Sequence, residues 1–93
     1  QEFVAATAEC AQLKADVAAD SGNMDKRYEL AGGLMAAGDR EGAAETLLAM
    51  IADDREWNEG AARQRLLKLF EVVGLEDPWV SSQRRKLSAI LFG

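Results

Sequence analysis

Histidine is absent from the 93 residues, and cysteine occurs once, at Cys10. Without histidine there is no Ser-His-Asp triad, no Cys-His pair and none of the common zinc sites. A single cysteine excludes an intrachain disulfide and a cysteine-based metal cage. Cys10 has no second cysteine three residues on and no histidine to activate it, so it reads as a small hydrophobe in a helix. Proline occurs once, at Pro78, and aromatic residues make up 6% of the chain. β-Branched residues are sparse: two Thr, two Ile and five Val. Strands favour residues of that kind, and no segment shows the alternating pattern of a half-buried strand. No apolar run approaches the roughly 20 residues of a membrane span. The opening residues carry no signal-peptide pattern, and a start at Gln1 is what a piece of a longer protein is expected to show. A chain of this size buries only about two-thirds of its unfolded surface, which leaves little for a deep cleft as well as a core. No catalytic residue, metal or cofactor is therefore expected.

What is present is helix-forming. Alanine (17) and leucine (11) dominate, and both lead the helix scale. Charge is uneven. Residues 1–56 carry 12 acids and 5 bases, and residues 57–93 carry 4 acids and 6 bases. The net charge of −5 and a pI near 4.6 argue against general nucleic-acid binding.

Punctuation predicts five helices. The first runs over about 2–19 and ends at the Asp20-Ser21-Gly22-Asn23 run. Asn23 caps the second, which carries Asp25 in its first turn and presents Tyr28, Leu30, Ala31, Leu34 and Met35. Gly38 is placed as its left-handed stop. Asp39 caps the third helix, which runs to about Asp53 with Ala43, Ala44, Leu47, Leu48 and Ile51 on one face. The fourth follows Trp57-Asn58, buries Ala62, Leu66, Leu69, Phe70 and Val73, and stops at Gly74. Asp77-Pro78 opens the fifth, where proline at the first helical position loses no hydrogen bond. The short connections make neighbours antiparallel hairpins. The expectation is an all-α domain over 1–93, its hairpins stacked as a tetratricopeptide-like right-handed superhelix.

The repeat register supports that stack. With Gly38-Asp39 on the inter-helix turn, a 34-residue repeat covers about 24–57. Leu30 and Ala31 take the Leu and small-residue positions of its first helix. Ala43 takes the small position where the helices cross, and Leu47 the large one a turn later. A small residue there lets two backbones approach. Met50 stands where a second alanine is usual, and Arg55 where the terminal proline is usual.

Residues 20–93 also resemble, in order and without gaps, the C-terminal end of the YbbN/CnoX-type thioredoxin-like co-chaperones. Arg27-Tyr28-x-Leu30-Ala31 is similar to the family's first helix. Trp57-Asn58-x-Gly60-Ala61-Ala62-Arg63, followed by Leu66-Leu67-x-Leu69-Phe70, is the most family-specific run, and Asp77-Pro78, Arg84-Arg85 and Leu91-Phe92 complete it. The resemblance implies a thioredoxin fold upstream, a cytoplasmic setting, and a holdase that binds unfolded clients and passes them to a chaperonin or other chaperones. For this chain it implies a non-catalytic protein-interaction module. The alternative is an accessory domain of a thiol-disulfide redox enzyme whose catalytic domain lies elsewhere. An upstream Cys-x-x-Cys would favour the redox role for the parent.

Several positions are candidates for partner contact. In the run from Trp57 to Arg63, Asn58 reads as the cap of the fourth helix, Glu59 suits its positive end, Gly60 permits close backbone approach, and Trp57 packs the third helix on the fourth. Arg63 is least explained by structure; Asp53 or Asp54 is its expected partner. Arg84, Arg85 and Lys86 fan out at about 100° per residue and read as a solvated face, not a nucleic-acid site. The acids match no calcium-loop spacing and read as surface. Trp79, Leu87, Ile90, Leu91 and Phe92 exceed what one buried stripe of a terminal helix needs, which marks a docking or weak self-association surface. The candidate contact residues are Arg27, Trp57, Arg63, Trp79, Arg84, Arg85, Ile90 and Phe92, divided between a groove around Arg27, Trp57 and Arg63 and the C-terminal helix.

Overall fold

A computed structural model describes residues 12–20 and 22–92. Among them lie five α-helices and no strand: α1 (residues 12–19), α2 (Met24–Ala36), α3 (Arg40–Asp53), α4 (Ala61–Val73) and α5 (Pro78–Phe92), with a 3₁₀ turn at Trp57–Gly60. The fold is all-α and tetratricopeptide-like. Cys10 and the first ten positions predicted for helix one lie outside the described residues. The chain divides into two compact units, Gln1–Thr46 and Leu47–Gly93, with the boundary inside α3.

In the first unit, local capping chemistry sets the helix ends. Asn23 is extended (φ −82, ψ 98), and its side chain accepts a hydrogen bond from the Lys26 amide at 3.2 Å. This satisfies one of the amides that the first turn leaves without a partner. α2 then buries Arg27, Leu30, Ala31 and Leu34 at i, i+3, i+4, i+7 spacing. It ends in a Schellman turn. The Gly38 amide donates to the Met35 carbonyl at 3.1 Å, and the Asp39 amide to the Leu34 carbonyl at 2.8 Å. The turn requires the left-handed backbone of Gly38 (φ +86), where a side chain would be strained. Asp39 then caps α3, its carboxylate accepting from the Gly42 amide at 2.9 Å.

Ala43 is fully buried four residues beyond that cap, as is Ala31 on α2, where Leu30 and Leu34 are also buried. The crossing-alanine register therefore predicts that Ala43→Leu overpacks this unit by about 1–3 kcal/mol. Urea denaturation measures it, and an unchanged midpoint would show that the site has room for three more carbons.

In the second unit, α3 buries Leu47, Leu48, Met50 and Ile51, α4 buries Ala62, Leu66, Leu69 and Phe70, and α5 buries Val80, Gln83 and Leu87. Met50 is fully buried, so the thioether fills the position where a repeat usually has alanine. Val73, read from sequence as buried, is only half-buried, as is Leu91. Gly74 (φ +117) stops α4, donating to the Phe70 carbonyl at 2.8 Å. Asp77 caps α5 by accepting from the Trp79 amide at 2.8 Å, with Pro78 at the first helical position. Phe70, near the end of α4, meets Trp79 at the start of α5, and Leu91 at the end of α5 shares a cavity with Arg63 at the start of α4. The two helices thus form an antiparallel hairpin.

Candidate protein-interaction surface

Two places on the second unit combine open space with chemistry. The first lies where α3 gives way to α4. The Trp57 amide donates to the Asp54 carbonyl at 3.2 Å, and the Glu56 amide to the Asp54 carboxylate at 3.2 Å. Asn58 (φ 49, ψ 47), Glu59 (φ 58, ψ 35) and Gly60 (φ 79, ψ 25) then take left-handed backbone in succession. This corrects the sequence reading at two residues. Asn58 does not cap α4; it enters the left-handed turn, which its short polar side chain tolerates. Gly60 occupies the cap position with no side-chain hydrogen bond. It is needed for its positive φ and not for a close approach, since an added Cβ would meet nothing nearer than the Arg55 carbonyl at 4.0 Å. The Gln64 side chain donates to the Glu59 carbonyl at 3.2 Å and holds the turn against α4.

Glu59 is the costly member of the three. A left-handed backbone disfavours an L-residue with a Cβ by about 1–2 kcal/mol, and neither glycine nor asparagine stands there. Glu59→Gly is expected to stabilise the chain by up to about 1 kcal/mol, after the extra freedom of glycine in the unfolded state is set against the relief. A lower denaturation midpoint would mean that the carboxylate, and not the backbone, dominates this position.

A cavity of about 450 Å³ opens beside this turn, lined by Arg55, Glu56, Glu59, Gly60, Arg63 and Leu91. The Arg55 guanidinium donates to the Leu91 carbonyl at 3.0 Å, a cation on the negative end of α5. Arg63 is exposed on this lining with Glu56 and Glu59. Two arginines and two glutamates balance each other here, so the cavity selects neither sign of ligand. No group of acids, histidines or cysteines among the described residues is arranged to hold a metal.

The second place is the face of the α4–α5 hairpin. Phe70 and Trp79 meet edge to face, with ring centroids 6.4 Å apart and an 83° interplanar angle. Beside them lies a cavity of about 290 Å³ lined by Leu67, Phe70, Glu71, Leu75 and Arg84. Arg84 also borders a shallow depression of about 350 Å³ with Ser81, Arg85 and Ser88. Leu67, Val72, Leu75 and Phe92 are exposed apolar residues of this unit, Val72 at 72% and Phe92 at 85%.

The sequence-predicted contact residues fall unevenly across this surface. Arg84 and Arg85 are exposed and adjoin one depression, and Phe92 is exposed. Trp57, Trp79 and Ile90 are half-buried. Arg27 belongs to the first unit and is buried, 8% exposed, with its guanidinium donating to the Met24 sulfur at 3.6 Å. Little of its side chain is left for a partner. Leu67, Val72 and Leu75 were missed by sequence reasoning, which followed only the buried stripe of helix four; Leu75 lies beyond the Gly74 stop and is brought to Leu67 only by the fold. Arg55, read only as a departure from the repeat pattern, lies in the first cavity.

No helix among the described residues is long and apolar enough to cross a membrane. No curated protein and no solved structure matches the chain. The tetratricopeptide-repeat family model matches residues 4–92. Repeats of this type are in general non-catalytic protein-interaction modules. With its capped helices, buried Ala43 and match over nearly its whole length, the chain belongs to the tetratricopeptide-repeat family.

Proposed function

We propose that the chain is the client- and chaperone-binding module of a thioredoxin-linked holdase working in the cytoplasm. The observation that carries this reading is the exposed apolar surface of the second unit: Leu67, Val72, Leu75 and Phe92 are exposed, and Leu67 and Leu75 share a cavity lining with Arg84. Exposed groups of this kind give an unfolded segment a place to bury its own apolar side chains, and each one fully buried contributes about 1.5–3 kcal/mol. The in-order resemblance of residues 20–93 to the thioredoxin-like co-chaperones supplies the finer identity. In this role the chain supplies binding, and redox chemistry belongs to a domain outside it.

Light scattering from chemically denatured citrate synthase, diluted with and without the purified chain, tests the reading. The chain is expected to suppress aggregation in proportion to its concentration, and Phe92→Ser to weaken the effect. In parallel it should show no turnover in an insulin-reduction assay. Scattering unaffected by a molar excess of the chain would sink the holdase role.

A further inference from the structure

The α4–α5 hairpin differs from the rest of the chain in charge. Within the two helices there are six bases (Arg63, Arg65, Lys68, Arg84, Arg85, Lys86) and one acid, Glu71, while the whole chain is at −5. On one part of the hairpin, apolar and cationic groups adjoin. The 290 Å³ cavity has Leu67, Phe70 and Leu75 as its apolar wall with Glu71 also on its lining, and Arg84 joins it to the depression holding Arg85 and two serine hydroxyls. A cavity of this size falls just below the roughly 300–1,000 Å³ of pockets that hold drug-sized ligands, and suits one large apolar side chain. The depression offers two guanidinium groups and two hydroxyls, with no carboxylate on its lining. Guanidinium forks match carboxylates bidentately.

We propose that this face docks an acidic, amphipathic peptide segment of a protein partner, placing a leucine- or phenylalanine-sized side chain against Leu67, Phe70 and Leu75 and a carboxylate on Arg84 and Arg85. The proposal rests on the interaction-module reading and adds the chemistry of the partner. It also separates this face from the balanced cavity at Arg55 and Arg63, where Glu56 and Glu59 offset the two arginines. Phe70 forms the cavity floor at 1% exposure, and Leu67 (42%) and Leu75 (55%) are its accessible lips. A nucleic acid would use the same arginines but would gain nothing from an aliphatic cavity, since single strands bind by stacking on exposed aromatic rings.

The test uses fluorescence anisotropy with a short fluorescein-labelled peptide of leucines flanked by glutamates. Three controls replace the glutamates with glutamine, replace the leucines with serine, or substitute a labelled oligothymidine. The leucine–glutamate peptide is expected to bind, and to bind at least about tenfold more weakly when sodium chloride is raised from low to molar levels. Both control peptides are expected to lose about tenfold or more. Arg84→Glu combined with Arg85→Glu should abolish the preference for glutamate over glutamine peptide. Leu67→Gln combined with Leu75→Ser should abolish the preference for leucine over serine peptide. All four positions are exposed, and circular dichroism of each variant confirms that helicity is kept. Equal affinity for the glutamate and glutamine peptides, or preferences untouched by both double variants, would overturn the proposal. Tighter binding of the oligothymidine, lost in the arginine variant, would overturn it in favour of a nucleic-acid face. Loss of peptide binding with intact suppression of citrate synthase aggregation would reject this docking site alone; the reverse would reject the holdase reading alone.

Discussion

Phe70→Ala is expected to lower the stability of the chain by about 3–5 kcal/mol, the range for truncating a buried phenylalanine. The ring is 1% exposed and among the largest fully buried side chains. Two effects add. Removing it takes apolar area out of the core of the second unit and leaves a cavity that α4 and α5 can close only in part. It also removes the ring that Trp79 meets edge to face at 6.4 Å, a geometry worth about 0.5–1.5 kcal/mol beyond area alone. Small domains have only about 5–15 kcal/mol in total, so the variant would lose about a fifth of its stability or more. Phe70→Leu separates the terms, because it keeps most of the apolar volume and loses the ring pair. Urea denaturation followed by tryptophan fluorescence reads both variants. A loss below about 1 kcal/mol for the alanine variant would show that the hairpin collapses around the missing ring without cost. Phe70 also floors the peptide cavity, so binding by this variant is interpretable only beside its measured stability.

The helix ends were legible because they are written in local chemistry. Asn23, Gly38-Asp39, Gly74 and Asp77-Pro78 act within a few residues of themselves, and the structure forms each cap where the sequence placed it. The Asn58-Glu59-Gly60 turn was misread for a related reason. Asparagine is favoured both as a helix cap and in left-handed backbone, so its identity does not choose between them. Glycine two residues on was the available signal for the left-handed alternative, and Glu59 between them gave no sign of it. Met50 was noticed as a departure from the repeat pattern, yet only packing shows that the larger side chain is fully accommodated.

The surface was harder to read than the core. Arg84 and Arg85 were singled out by charge, and Phe92 by surplus hydrophobicity; all three are exposed. Leu67 and Leu75 became visible only with the hairpin formed, since the cavity they line needs Arg84, which is nine residues beyond Leu75 and on another helix. Arg27 shows the opposite error. A charged residue inside a recognisable motif was taken for a contact, but it sits at the first position of α2's buried stripe, three residues before Leu30. Spacing outweighed side-chain type at that position, because a long aliphatic stem can be covered while its head finds a polar neighbour.

The same rule makes Gln83 the second large prediction. It lies on α5 three residues after Val80 and four before Leu87, in the middle of the buried stripe, and is 3% exposed. Its side-chain oxygen is buried with no hydrogen-bond partner. Leaving such a group unsatisfied costs about 1–3 kcal/mol, whereas an apolar group of the same shape removes that penalty. Gln83→Met keeps the unbranched shape and length and is therefore expected to stabilise the chain by about 1–3 kcal/mol. For a domain of this size each kcal/mol moves Tm by about 4–8 °C. Gln83→Glu should do the reverse at neutral pH, because an uncompensated buried charge costs about 3–5 kcal/mol. Burial would raise the folded-state pKa of the new carboxyl above its unfolded value near 4.3. Its penalty would then be present at neutral pH and shrink as pH falls towards that value and the group is protonated in both states. Thermal unfolding of the two variants at neutral pH and near pH 4.5 decides the matter. A methionine variant no more stable than the parent would show that the amide oxygen is satisfied in solution, by a water entering beside α5. A glutamate variant as stable as the parent at neutral pH would show that position 83 reaches solvent.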